Sequence, residues 1–226
     1  MAILSVDTST IVCSVAIHEK GKLLANVETY TDNSHAENLA LMIQQASDWA
    51  KIPLDKIEAF ALSKGPGSYT GLRIGCSTLK GLCFAFDKPL IAISTLRILV
   101  EAFVPVLEEA DCICPLLDAR RMEVYTAAYD KEGNERMKEQ ALVLDEHSFS
   151  DLLSERNVLF VGNGVPKFKE IMHHPRARFV SDVVPLAKHM GQLAFDLSEK
   201  QLFVDVAYFE PDYLKEFYTT AKVTFP

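Results

Sequence analysis

"CICPLLDARRMEVYTAAYDKEGNERMKEQALVL" runs from residue 112 to residue 144. "CICPLLD" (112–118) reads as a buried strand that closes on Asp118. "EVYTAAYD" (123–130) alternates after it, "KEGN" turns, and "ERMKEQALVL" (135–144) returns, which makes a three-strand meander. The chain opens in the same way. "AILSVD" (2–7) closes on Asp7, "IVCSVAIH" (11–18) comes next, residues 19–22 turn, and "LLANVETY" (23–30) returns. From Asp7 to the turn glycine Gly21 is 14 positions, and from Asp118 to Gly133 it is 15. The second half therefore begins the first half again.

The elements after each meander repeat as well. In the first half the spacing predicts a helix over 34–51, with Ser34 and Glu37 as a capping box. A buried strand over 57–63, a helix over 70–86, a strand over 89–94 and a helix from Thr95 complete it. The second half reads as a helix over 148–156, a strand over 158–162, a helix near 166–173 and a strand near 178–181. A last helix spans 185–200, with Pro185 in its first turn. A doubled βββαβα unit implies an α/β fold of two ribonuclease-H-like lobes, the actin/Hsp70/sugar-kinase (ASKHA) architecture, with a mixed five-stranded sheet and helices in each lobe. The expected division is an N-terminal lobe over 1–108, a C-terminal lobe over 109–200, and a segment over 201–226 that packs back on the N-terminal lobe. That architecture holds nucleotide between the lobes, at the turns after the two first strands. Asp7, Thr8, Ser9, Asp118, Arg120, Gly162 and Gly164 are the candidate cleft residues.

Composition narrows the function. Net charge is −8 over 226 residues, so the chain is a poor binder of nucleic acid by itself. The five cysteines sit in apolar runs without a C-x-x-C, which points to buried reduced thiols and a cytoplasmic chain. "MAILSVD" reaches an acidic residue too early for a signal peptide, and no stretch has the length of a membrane span.

"VDTST" (6–10), "HAENL" (35–39), "SKGPGSYTGLRIG" (63–75), "KPLIAIST" (88–95), "LDARRMEVY" (117–125), "GNG" (162–164) and "EPDYL" (210–214) occur in this order. Together they resemble the bacterial TsaB (YeaZ) family across nearly the whole chain, and "GPGSYTGLRIG" is the most specific part. The resemblance implies a subunit of the machinery that makes threonylcarbamoyladenosine beside the anticodon of tRNAs reading codons that begin with A. It implies a non-catalytic paralogue of the catalytic subunit TsaD, paired with TsaD, with the ATPase TsaE joining. It further implies tRNA contact only through the complex, homodimers when the partner is absent, and no tightly bound cofactor. ATP or ADP would be held at the junction of the complex.

The residues themselves argue against independent catalysis. The catalytic relatives carry a His-x-x-x-His pair on a helix, suited to a metal. Here Thr95 and Leu99 stand in those places, and no metal site is expected. His18, His147 and His189 stand alone and read as solvated or cap-forming side chains. Active two-lobe ATPases follow the second Asp with glycine, so that backbone amides reach the phosphates. This chain has Ala119, Arg120 and Arg121. Arg120 can pair with a phosphate, or fill the cleft and pair with Asp7 or Asp118; the second is favoured. Gly162 and Gly164 can meet adenine or turn a strand into a helix, the commoner role. Lys167 and Lys169 read as solvated surface.

The helix over 70–86 is apolar nearly all round. Leu72, Cys76, Leu79 and Cys83 form one stripe, Gly71, Gly75, Thr78 and Leu82 another, with Ile74 beside it. Only Arg73, Ser77 and Lys80 make a polar stripe. A helix of this kind is covered on both sides. Its interior glycines cost about 1 kcal/mol each against alanine, which close packing against another helix would offset. Leu41 and Met42 on the helix over 34–51 add a second spare row. The expected partner interface is Leu41, Met42, Gly71, Leu72, Ile74, Gly75, Thr78 and Leu82. Two other classes compete with the partner subunit: an independent ATPase or kinase, and a peptidase acting on the paralogue.

Overall fold

The computed structural model describes residues 1–31, 35–108 and 111–215. Ser34, and with it the Ser34–Glu37 cap, lies outside the described residues, as do 109–110 and 216–226. The first half folds as β1 (Ala2–Asp7), β2 (Cys13–Glu19), β3 (Lys22–Thr29), α1 (His35–Ala50), β4 (Ala59–Ser63), α2 (Tyr69–Phe86), β5 (Leu90–Ile93) and α3 (Thr95–Glu101). The second half continues with β6 (Cys112–Asp118), β7 (Glu123–Tyr129), β8 (Glu135–Val143), α4 (Ser150–Glu155), β9 (Val158–Gly162), α5 (Val165–Lys169), β10 (Ala177–Ser181) and α6 (Gly191–Glu199).

The sheets are ordered β3-β2-β1-β4-β5 and β10-β9-β6-β7-β8, so the same five-strand order is built twice. In each, the first strand pairs antiparallel with the second and parallel with the fourth. Those first strands, β1 and β6, are buried along nearly their whole length because both faces of each sheet are covered. One face of the first sheet packs under α1 and α2, through Leu39, Ile43, Leu79 and Cys83. All five cysteines are buried and free.

The helices after the last strands of each half are exchanged. Leu96, Leu99 and Val100 of α3 pack with Leu117, Ala127 and Val161 of the second sheet. In return Ala187, Met190 and Ala194 pack with Ile3, Ala16 and Ile91 of the first. The stretch 185–200 thus joins the first lobe's core, not the second's, and it is not one helix. A 3-10 turn (Ala187–His189) precedes α6, and Pro185 lies before both. Two side chains of β2 hold this stretch: the Ser14 hydroxyl accepts from Ala187 N–H at 2.9 Å, and the Nε2–H of His18, expected as solvated or cap-forming and here buried, donates to the Lys188 carbonyl at 3.1 Å.

Beyond α6 the chain runs along α2. Val204 bridges to Leu90, and Val206 and Phe209 pack on the first lobe's core. Lys80 Nζ donates to the carbonyls of Ala207 and Phe209, at 3.1 Å each. Among the described residues no helix is long and apolar enough to cross a membrane.

Candidate functional site

The two turns that would face a nucleotide lie after β1 and β6. At the first, Asp7, Thr8 and Ser9 are at most 2% exposed. The Ser9 N–H and hydroxyl donate to the Asp7 carboxylate at 3.2 and 3.0 Å. Burial raises the Asp7 pKa to about 6, against the Ser63 hydroxyl and the Ser9 donors, which pull it down. The start of α2 covers this turn. Ser68 N–H donates to the Ser9 carbonyl at 2.7 Å, and Ser68 Oγ caps the helix by accepting from Gly71 N–H at 3.2 Å. A Cβ on Gly67 would come within 2.5 Å of the Ser9 carbonyl oxygen. One on Gly71 would overlap the Thr8 carbonyl oxygen, and one on Gly75 the Thr8 hydroxyl.

These contacts correct the reading of the glycine stripe. Gly71 and Gly75 let α2 sit on its own lobe's first turn, and both are buried there against Thr8. Met42, also expected at the interface, is buried in the first lobe's core, and Leu72 is buried beside Gly65. Ile74, Thr78 and Leu82 are partly exposed, and Leu41 is 69% exposed. The exposed side of α2 instead carries Ser77, Gly81, Phe84 and Ala85, and Phe84 is 89% exposed. Gly81 is the glycine with room above it: a Cβ there would meet nothing within 4 Å. Trp49 on α1 is 59% exposed on the same helical layer. Phe84 was legible in the pattern, since it continues the Arg73, Ser77, Lys80 stripe at helical spacing.

At the second turn, Arg120 does not fill the cleft. It is exposed and makes no side-chain ion pair among the described residues. Lys167, at the start of α5, takes that part. Its ammonium donates to the Asp118 carboxylate, to the Arg121 carbonyl at 2.8 Å and to the Glu123 carbonyl at 2.6 Å. Lys167 is therefore a cleft residue, against its expected place on solvated surface. Arg120 and Arg121 hold φ of 68° and 48°, so the left-handed turn is kept without glycine. Its inward groups are carbonyls engaged by a cation. An anion cradle needs amides there.

Gly162 and Gly164 both press on β6. A Cβ on either would crowd the Leu116 carbonyl oxygen, at 2.5 and 2.8 Å, and Gly164 N–H donates to that oxygen at 2.8 Å. Asn163 between them accepts from Asp118 N–H at 2.9 Å. The "GNG" segment turns β9 into α5 and braces the second turn. Thr95 and Leu99 are both buried, Leu99 inside the α3 contact with the second sheet.

Residues 22–218 match the family model of TsaD, tRNA N6-adenosine threonylcarbamoyltransferase. The chain belongs to that family, among its TsaB (YeaZ) members. A Bacillus subtilis protein named tRNA threonylcarbamoyladenosine biosynthesis protein TsaB is 28% identical over 222 residues, 95% of this chain and 94% of that one. The Haemophilus influenzae protein of the same name is 33% identical over 132 residues, 58% of this chain. That second match spans 55% of the relative's own length. A Pseudomonas aeruginosa crystal structure, described as similar to peptidase YeaZ, superposes with a TM-score of 0.83 at 28% identity. The superposition covers 95% of this chain and 99% of that one. In this TsaB-type chain the first turn is sealed by α2 and the second by Lys167. The role of Lys167 has little local signature, because Asp118 lies 49 positions away.

Proposed function

We propose that this chain serves tRNA threonylcarbamoyladenosine biosynthesis as a non-catalytic subunit that pairs with a TsaD-type paralogue. The observation that carries the non-catalytic reading is the second turn. An ammonium sits among one carboxylate and two carbonyls, on the side where a nucleotide-binding turn would offer amides to phosphate. The buried Thr95 and Leu99 leave no imidazole pair at that place to hold a metal. Family membership supports the pathway.

Pairing through the outer layer of α1 and α2 is supported by its exposed large apolar groups, Leu41, Trp49 and Phe84. Small residues at 77, 81 and 85 allow close approach of a helix between them. In this reading the chain works in the cytoplasm, a TsaE-type ATPase joins the pair, and tRNA is met through the complex. ATP or ADP binds where the partner completes a pocket, and the chain self-pairs through the same layer when the partner is absent. Co-purification with the paralogue, and then tRNA modification with and without this chain, tests the proposal. A chain that alone modified tRNA, or hydrolysed ATP at ordinary enzyme rates, would refute it.

A further inference from the structure

The segment beyond the α2 crossing touches both lobes. Asp212 is tied twice to the loop that leads into α2. Its N–H donates to the Lys64 carbonyl at 2.7 Å, and its carboxylate meets Lys64 Nζ at 2.7 Å. Tyr213 lies on Tyr69, the first residue of α2, with ring centroids 4.8 Å apart. Its hydroxyl accepts from Arg73 Nε at 3.2 Å, and the Arg73 guanidinium lies 4.1 Å over the Tyr69 ring. Two residues on, Lys215 leaves the first lobe. It pairs with the Glu123 carboxylate at the start of β7 and lies 5.7 Å from the Tyr125 ring centre.

Glu123 is a junction in the second lobe. Its carbonyl accepts from Lys167, its N–H donates to the Arg120 carbonyl at 3.2 Å, and its carboxylate receives Lys215. The chain over 212–215 therefore connects the elements that seal the first turn to those that seal the second. Neither end is a loose surface contact, since the Lys215 and Glu123 side chains are 31% and 25% exposed. A charge pair with that much cover keeps more of its attraction than a fully solvated one.

We propose that residues 212–215 are a clasp that sets the angle between the lobes. In a two-lobe fold the lobes can rotate about the connections between them, here α3 and the stretch that brings Ala187, Met190 and Ala194 back to the first sheet. The clasp is a further connection, beside the two turns. It turns a hinged architecture into one of fixed shape, and it couples the N-terminal end of α2 to the second lobe.

The test uses the full chain and three variants: Lys215→Glu, Glu123→Lys, and the two together, which restore the pair with reversed charges. Hydrogen exchange is followed at residues 64–73 and 118–123. Each single variant is expected to speed exchange in both segments by about fivefold, the scale of one partly covered ion pair, and the charge swap to restore most of it. Unchanged exchange in the single variants overturns the clasp. So does faster exchange confined to one segment, or a swap that restores nothing. Thermal unfolding of the same variants separates a clasp from a folding defect: a loss of global stability matching the exchange gain also overturns it.

Discussion

Asp7 is fully buried, has hydroxyl and amide donors from Ser9, and faces no cation among the ion pairs of the described residues. Replacing it with asparagine removes the charge and keeps an oxygen for the Ser9 N–H. The carboxyl's pKa rises from 3.8 to about 6 on folding, because burial disfavours the ionised form. The raised value means the folded state binds this proton more tightly than the unfolded one. Its contribution to stability is full below the unfolded pKa and is lost as pH rises through about 6. At 1.36 kcal/mol per unit, the ionised group costs about 3 kcal/mol at pH 7.5, of which roughly half has already accrued by pH 5. The weaker hydrogen bonding of the introduced amide to Ser9 takes back about 1 kcal/mol. Asp7→Asn is therefore expected to be more stable than the parent at pH 7.5 by about 1–2 kcal/mol, and about equal to it near pH 5. Urea unfolding of both proteins at the two pH values measures this. Comparison at each pH removes the opposite effect of the buried His18, whose pKa is lowered by burial and whose protonation disfavours folding in acid. A variant less stable by the same amount at both pH values would refute the reasoning, since the charge would then be compensated in the fold.

The two kinds of glycine in α2 should respond oppositely to alanine. Gly71→Ala drives a methyl into the Thr8 carbonyl and should cost about 2 kcal/mol or more. Gly81→Ala meets open space and should add about 0.5–1 kcal/mol of helix stability, both read by thermal unfolding. Lys167→Met should lose about 1–3 kcal/mol by leaving the Asp118 carboxylate and two carbonyls without their donor. It should not create ATP hydrolysis, measured as phosphate release. Leu41→Glu with Phe84→Asp should keep the thermal transition of the single chain and weaken pairing with the TsaD-type paralogue by about a hundredfold or more, measured by titration calorimetry. Gly75→Arg is unsuited to that purpose, because it would break the packing of α2 on Thr8.

The closed first turn and the exposed helical layer meet on α2. α2 begins on the first turn and ends beside Phe84, so the element that seals the cleft also presents the proposed partner face.

Element type and order were present in the chain itself. Short apolar runs ending in Asp7 and Asp118, turn glycines at like distances and the stripe of Leu72, Cys76, Leu79 and Cys83 are local patterns. Local backbone and side-chain preferences suffice to make them strands and a buried helix face. Tertiary structure decided what each special residue was for. Gly71, Gly75 and Gly81 are alike in sequence because glycine carries no side chain to mark a face. Thr8 lies across from the first two and solvent from the third. Lys167 looked like one of a pair of surface lysines until the fold set Asp118 and the Arg121 and Glu123 carbonyls around its ammonium. The exchange of α3 and α6 between the sheets was hidden for the same reason. A stripe of apolar residues fixes that a helix must be covered, and only the assembled layers fix by which sheet.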